Sequence, residues 1–450
     1  MPRELITVQV GQCGNQVGLR FWELALREHQ GNGGIYDEAL SSFFRNVDVR
    51  NQQSLAVGAA ISSLKARTVV VDMEEGVIAG LLRSEYGEIF DTRMIISDVS
   101  GAGNNWAVGF EEYGQKYQEE ISEKVRRTAE DCDSLQSFFM MHSMGGGTGS
   151  GVGSFICSLL EDQYPEVFRF STVVYPEDEV VTGPYNALLA THHLSLHSDC
   201  VLPIHNKALF DIVALVDSAK GKAQTVAADG RGAYDRMNNI IAHLLNDLTC
   251  SMRFPGTLNV DLNEITMNLV PFPMMQFLQP AMSPLYSVLD VKAEARSLNQ
   301  AFSDVMNPDF QLLKTNPRQG TYLACGLIVR GAATISDMER NIKRLRKEMN
   351  MIHWNREGFK IGLCAQAPVN MKYSLLCLAN NTSIKTHFLE LKAKALRFFK
   401  RGAHVHHYTN VMGPGHFEEA FQHLDTLVAN YADMENASPA PLRGRITPVV

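Results

Sequence analysis

Five of the seven residues in Gly145-Gly146-Gly147-Thr148-Gly149-Ser150-Gly151 are glycine, and a sixth follows at Gly153. An apolar run, Ser137 to Met144, precedes them, and Phe155, Ile156, Leu159 and Leu160 recur at helical spacing up to Pro165. The glycines therefore stand at a strand-to-helix turn, where free backbone N–H groups and the helix dipole favour an anion. Without Cβ atoms, several N–H groups can turn inward and a phosphate can approach the backbone. A tight turn needing positive φ would explain one or two glycines, not five in seven. No Gly-Lys-Ser or Gly-Lys-Thr follows, which excludes a Walker A loop, and the glycines do not register on G-x-G-x-x-G, which weakens a dinucleotide reading. Asp72 and Glu74 form a second constellation, just past the apolar run Thr68 to Val71. Two carboxylates at the carboxyl end of such a strand would repel a polyphosphate unless a cation lay between, and Mg²⁺ is the natural partner; the competing reading is an exposed acidic turn. Asp261 and Glu264 are a third pair, three residues apart on one face of a helix start. Asp-x-x-Glu ahead of an apolar run is also close to a capping box.

The elements that must position these residues alternate. Leu5 to Val10 reads as a strand ending at Gly11, followed from Asn15 by a helix that carries Val17, Phe21, Trp22 and Leu24 inward. That unit begins a doubly wound α/β sheet. Ile95-Ile96-Ser97 leads into a further turn, Gly101 to Asn105, and Phe170 to Tyr175 leads into acidic Glu177-Asp178-Glu179. Several turns thus converge on one ligand. Met237, Ile240, Ile241, Leu244, Leu245 and Leu248 keep helical spacing, as a long core helix joining two domains would. A second α/β domain starts near Arg253, with Leu323 to Val329 as a strand. A helix from Phe388 to Phe399 ends in basic residues before Gly402, and the last helix runs from Phe417 to about Met434.

Length and composition bound the function. The 450 residues suggest about three domains. A 45% hydrophobic and 20% charged content is that of an ordinary globular protein. No apolar run approaches the roughly 20 residues that cross a bilayer, so no membrane partner is expected. Met1-Pro2-Arg3-Glu4 leads straight into a strand, without a secretory signal. Eight scattered cysteines with no C-x-x-C pair fit a reduced, cytosolic chain. A net charge of −8 gives no general attraction for nucleic acid. The basic run Lys343 to Lys347 reads as a solvated helix face.

The glycine run does not stand alone. Gly11-Gln12-Cys13-Gly14-Asn15-Gln16, Gly101-Ala102-Gly103-Asn104-Asn105-Trp106-Ala107, Gly256-x-x-Asn259-x-Asp261-x-x-Glu264 and Asn268 to Pro273 accompany it in order. Over nearly the whole chain these motifs resemble those of the tubulins, and Gly34 to Asp48 resembles the epsilon branch found at centrioles and basal bodies. The resemblance implies a Rossmann-type GTPase domain over 1–215. An intermediate α/β domain would span 216–380 with its core helix at 234–250, then a helical domain 381–436 and a tail 437–450. It implies GTP or GDP with Mg²⁺ as cofactors. Phosphate-loop contacts would come from Gly11, Gln12, Cys13, Gln16, Gly103, Asn104, Ser143, Gly145, Gly146, Gly147, Thr148 and Gly149. Asn206 and Asn238 would read guanine, whose donor and acceptor edge an asparagine amide matches, and Tyr234 would stack on the base. Asp72 and Glu74 would serve the metal. Glu264, with Asp261, would act in trans on the nucleotide of a longitudinal neighbour, where alpha-tubulin has a glutamate that polarises water and beta-tubulin a lysine. Expected partners are other tubulins, delta-tubulin among them, and centriolar proteins; the expected place is the cytoplasmic cytoskeleton, at the centrosome, centriole or basal body. His404-x-His406-His407 looks like a metal cluster, but tubulins carry a similar structural loop there.

Several positions depart from that pattern. Gly183 replaces the glutamate that alpha- and beta-tubulins carry before Pro-Tyr-Asn, so a ribose contact is missing or supplied otherwise. The chain is longer between Ile212 and Tyr234, shorter between Pro284 and Ser303, and its tail is not acidic. A nucleotide-binding scaffold that never hydrolyses GTP is the alternative reading.

Overall fold

The computed structural model describes residues 3–30, 33–50, 53–177, 180–219, 231–285 and 297–438. Apolar runs become buried strands. β1 (Glu4–Val10) is buried at every position, as parallel strands covered on both faces are. β2 (Phe44–Val47) and β3 (Ser63–Ala66) form an antiparallel pair apart from it. β4 (Thr68–Asp72), β5 (Ile95–Ser97), β6 (Leu135–Ser143), β7 (Phe168–Tyr175) and β8 (Cys200–His205) join β1 in a six-stranded parallel sheet. Its order is β5-β4-β1-β6-β7-β8. The chain moves outward from β1 to β5, then restarts on the other side at β6. The order therefore reverses between β1 and β6, and open α/β sheets bind ligands at that point, beyond the strand ends.

Alternating side chains of β1 feed two cores. Leu5 packs with Val17, Phe21 and Trp22 of the helix Gly11–Glu28. Ile6, Val8 and Val10 pack with the helices Gln115–Glu130, Gly153–Gln163 and Gly183–His197 on the other face. The first helix begins at Gly11, not at Asn15, because Gly11 turns the chain within one residue at φ +71°.

β9 (Gln279–Ser283), β10 (Tyr322–Gly331), β11 (Phe359–Cys364) and β12 (Tyr373–Asn381) form a mixed sheet in the order β11-β10-β12-β9. The helix Arg231–Leu248 lies between the sheets, its Ile240, Leu244 and Leu248 sharing one core with Trp22 and with Leu376 and Leu378 of β12. Asn246 fastens it to the first helix, donating from Nδ2 to the Phe21 carbonyl at 3.3 Å. The helix Ile384–Phe399 ends as its sequence suggests. Gly402 takes φ +63°, and the Ala403 N–H reaches back to the Phe398 carbonyl at 3.1 Å. This helix and Gly415–Asn436 pack onto the helix Gly183–His197. The insertion around Lys220, Gly221 and Gly230, the loop Ser287 to Arg296, Asp178-Glu179 and the tail beyond 438 lie outside the described residues.

Candidate nucleotide site

A cavity of about 640 Å³ opens over the carboxyl ends of β1, β4 and β6, within the size range of small-molecule sites. Gly11, Gln12, Cys13 and Gln16 enter it from the first helix, and Asp72 and Glu74 from the end of β4. Gly103 and Asn104 come from the turn after β5; Ser143, Gly145, Gly146, Gly147, Thr148 and Gly149 come from β6 and its turn. Asn206 opens the helix after β8, and Tyr234 and Asn238 project from the helix Arg231–Leu248. Every phosphate, base and metal candidate from the sequence thus lines one cavity. Ala102, Val174, Pro176, Val180, Asp235 and Ile241 line it too, though no sequence signal assigned them to the site. Asp235 sits beside Tyr234, but one aspartate at a helix start carries no motif.

The glycines act by close approach more than by unusual dihedrals. Gly147 has φ −70° and ψ −43°, an ordinary right-handed conformation open to any residue. What excludes a side chain there is space: a Cβ would sit 2.6 Å from the Ala102 carbonyl oxygen and 2.7 Å from the Asn105 nitrogen. The turn after β6 is pressed backbone to backbone against the turn after β5. Gly11 does need its φ, and a Cβ there would stand 3.1 Å from the Gly149 nitrogen.

Among the described residues lining the cavity, charge has one sign. Asp72, Glu74 and Asp235 are its charged groups, and no lysine or arginine is among the described lining residues. Asp72 is 3% exposed. Burial pushes its carboxyl up to about 6, the Asn15 hydrogen bond pulls it down, and Glu74 raises it again. Asn15 Nδ2 lies 3.3 Å from Asp72 Oδ2. Asp72 and Glu74 would repel an anion held by the surrounding turns, so this pair fits a hard divalent cation completed by ligand oxygens. Among the described residues no three His, Cys, Asp or Glu side chains gather into a metal cage, which Mg²⁺ shared with phosphates does not require.

The GTPase-domain model of the Tubulin/FtsZ family matches residues 4–214, and the Tubulin C-terminal domain model matches residues 273–393. The chain belongs to the tubulin family. The "Tubulin epsilon chain" of Mus musculus and that of Homo sapiens are each 49% identical to it, over 97% of either chain. The "Tubulin beta-2 chain" of Suillus bovinus is 33% identical over 97% of each. This tubulin carries the family's GTPase domain, and GTP and GDP are the ligands that domain implies.

Asp261 and Glu264 stand elsewhere in the tubulin fold. Asp261 accepts from the Glu264 N–H at 2.8 Å and caps the helix Leu262–Leu269. Only half of the expected capping box forms, because the Glu264 carboxylate turns to Lys360 Nζ at 3.0 Å. Arg3 Nη1 lies 3.4 Å from Asp261 Oδ2. Arg3 precedes β1 and Gly11 follows it, so this pair sits at the opposite end of the strand, roughly 20 Å or more from the cavity. It cannot touch its own subunit's nucleotide. His404 precedes, and His406 and His407 lie within, a short helix, Val405–Thr409, that seats buried Tyr408. Among the described residues no helix is long and apolar enough to cross a membrane, and the eight cysteines are free thiols.

Proposed function

We propose that this tubulin binds GTP or GDP with Mg²⁺ in the cavity over β1 and β6, and that a neighbouring subunit completes hydrolysis. The turns at Gly11–Cys13, Gly103-Asn104 and Gly145–Gly149 hold the phosphates, with Gln16 and Ser143 beside them. Asn206 and Asn238 read guanine and Tyr234 stacks on it. Asp72 and Glu74 hold the cation, which offsets phosphate charge. The observation that carries the reading is the convergence of seven separate stretches of chain on the point where strand order reverses. The domain division follows it: nucleotide domain to about 215, intermediate α/β domain to about 380, helical domain to 436.

Glu264 is the catalytic group, acting in trans with Asp261 as its support. Phosphoryl transfer needs water placement and charge management more than covalent help. The far end of one subunit meets the cavity end of the next in a head-to-tail row, and Glu264 is 44% exposed at that far end. Glu264→Gln keeps the cap, since Asp261 binds only the backbone N–H of residue 264. Assembled with its partner, the variant should hydrolyse interfacial GTP at least about tenfold more slowly; an unaltered rate would reduce Glu264 to a surface ion pair.

The partners proposed are other tubulins, delta-tubulin among them, and centriolar proteins, in the cytoplasmic cytoskeleton at centrioles or basal bodies. Similarity to the epsilon chains supports this. Mass determination of the complex purified from cells tests the partner. The scaffold alternative rests on Gly183, which offers no side chain where alpha- and beta-tubulins have a carboxylate. Assaying the bound nucleotide before and after assembly separates the two, because a scaffold would retain GTP throughout.

A further inference from the structure

We propose that Asn186 is a positioning residue that clamps together the two turns forming the phosphate side of the cavity. The proposal rests on the guanine-nucleotide reading of that cavity. Asn186 is the fourth residue of the helix Gly183–His197 and is wholly buried. Its Nδ2 donates to the Gly145 carbonyl at 2.7 Å and to the Asn104 carbonyl at 2.8 Å. Its Oδ1 accepts from the Trp106 N–H at 2.9 Å and from the Tyr408 hydroxyl at 2.5 Å. Two donors and two acceptors are all that an asparagine amide offers, and all four are used. Turning the amide over would set N–H against N–H at Trp106, so its orientation is fixed.

The two turns have need of such a clamp. Gly145 follows β6 and Asn104 follows β5, and β1 and β4 stand between those strands. No sheet ladder joins them. Asn104 also holds φ +53°, a left-handed conformation in which its carbonyl needs fixed partners. That carbonyl receives Asn186 Nδ2 and, at 2.8 Å, the Thr182 hydroxyl. Serine lacks the second donor, leucine lacks both, and glutamine would carry the amide past the carbonyls. Tyr408, from the short helix Val405–Thr409, ties the clamp to the C-terminal helices.

Aspartate at 186 preserves shape and both acceptors but removes the two donors that face the turns. The experiment is calorimetric binding of GTP, GDP and guanosine to nucleotide-stripped full-length protein. Wild type is compared with Asn186→Asp, Tyr408→Phe and Leu188→Ala. Loss of one buried hydrogen bond corresponds to about tenfold. Asn186→Asp should therefore bind GTP and GDP at least about tenfold more weakly, with guanosine changed less than about twofold, because guanosine does not use the phosphate turns. Leu188, buried in the same helix, has an apolar side chain that can hydrogen-bond to neither turn, so its variant should melt earlier and keep wild-type GTP affinity. Tyr408→Phe should lose GTP affinity selectively but by less, since both donors to the turns remain. Equal loss of GTP and guanosine in Asn186→Asp, or destabilisation with GTP binding intact, would overturn the clamp. Should that variant not fold, an unchanged GTP-to-guanosine ratio in Tyr408→Phe overturns it instead. A wild-type chain that binds GTP no better than guanosine would sink the nucleotide reading, and the clamp with it.

Discussion

Asp72 shows how one side chain can be costly alone and useful in company. With a folded value of about 6 against the usual 3.8, the native state holds a proton that the unfolded chain has released. Its contribution is therefore favourable at low pH and is lost as pH rises through 6. At neutral pH the bare carboxylate costs the empty fold about 3 kcal/mol. Asp72→Asn should make the empty protein as stable as wild type or more so, while removing most of the Mg²⁺ dependence of GTP binding. A variant whose GTP affinity still rises with Mg²⁺ as wild type does would contradict the assignment. Gly147→Val should weaken guanine-nucleotide binding at least about tenfold, since the displaced Ala102–Asn105 turn carries Gly103 and Asn104. Retention of nucleotide by a folded Gly147→Val protein would refute it. At this scale the sequence was legible where close backbone approach excludes a side chain, as at Gly147 and Gly149, whereas Asn206 and Asn238 stood out only through the tubulin resemblance. It was silent at Asn186, because a buried amide that serves two backbone carbonyls has no local pattern.

Among the elements, the helix Gly11–Glu28, the helix Arg231–Leu248 and β10 meet at a buried ionic knot. Glu28 lies 2.5 Å from Arg253 and 2.9 Å from Arg330, and Arg330 lies 3.1 Å from Asp247. The side chains are at most 2% exposed. Burial raises the Glu28 carboxyl most, yet Arg253 and Arg330 together hold it below its usual value. Removing one member leaves uncompensated charge in the interior. Glu28→Gln should cost about 3–5 kcal/mol by urea denaturation, and a loss under about 1 kcal/mol would show that water reaches the arginines. Periodicity revealed the hydrophobic faces of both helices but not this knot, whose partners stand 225 positions apart for Glu28 and Arg253 and 83 apart for Arg330 and Asp247. The parallel strands were legible because full burial demands apolar runs. β9 was not, since Pro280 argues against a strand and is tolerated only at the sheet edge it occupies. The β2–β3 pair, set in a mixed polar stretch, gave no periodic signal either.

Over the whole molecule, buried histidines set the response to acid. Burial lowers His29 and His193 to about 3, and His142, His192, His205 and His243 to about 4. In the unfolded chain each would titrate near 6.5. Between pH 6.5 and 4 the unfolded state therefore binds more protons, and stability falls as pH drops. Asp72 and Asp247, raised to about 6 by burial, oppose this with two protons held by the native state. Burial also drives His387 well down, so the balance of these groups near pH 5 is about five protons taken up on unfolding, or roughly 7 kcal/mol per pH unit. A domain stabilised by about 5–15 kcal/mol cannot absorb that for long. Opening should begin where rings face one another across a seam. His192 lies 4.8 Å from His423 of the helix Gly415–Asn436, and His423 Nε2 lies 2.6 Å from the Ser195 hydroxyl. His193 packs against the stacked pair Trp106 and Phe110, at 5.0 and 4.6 Å. Urea midpoints should thus fall steeply as pH drops from 6.5 toward 4, with the C-terminal helix losing amide protection first in hydrogen exchange. His193→Phe, which keeps a ring in that aromatic niche and removes a proton site, should make the fall shallower. Midpoints that stay level down to pH 5, or a slope unmoved by His193→Phe, would show that these histidines take up their protons without unfolding.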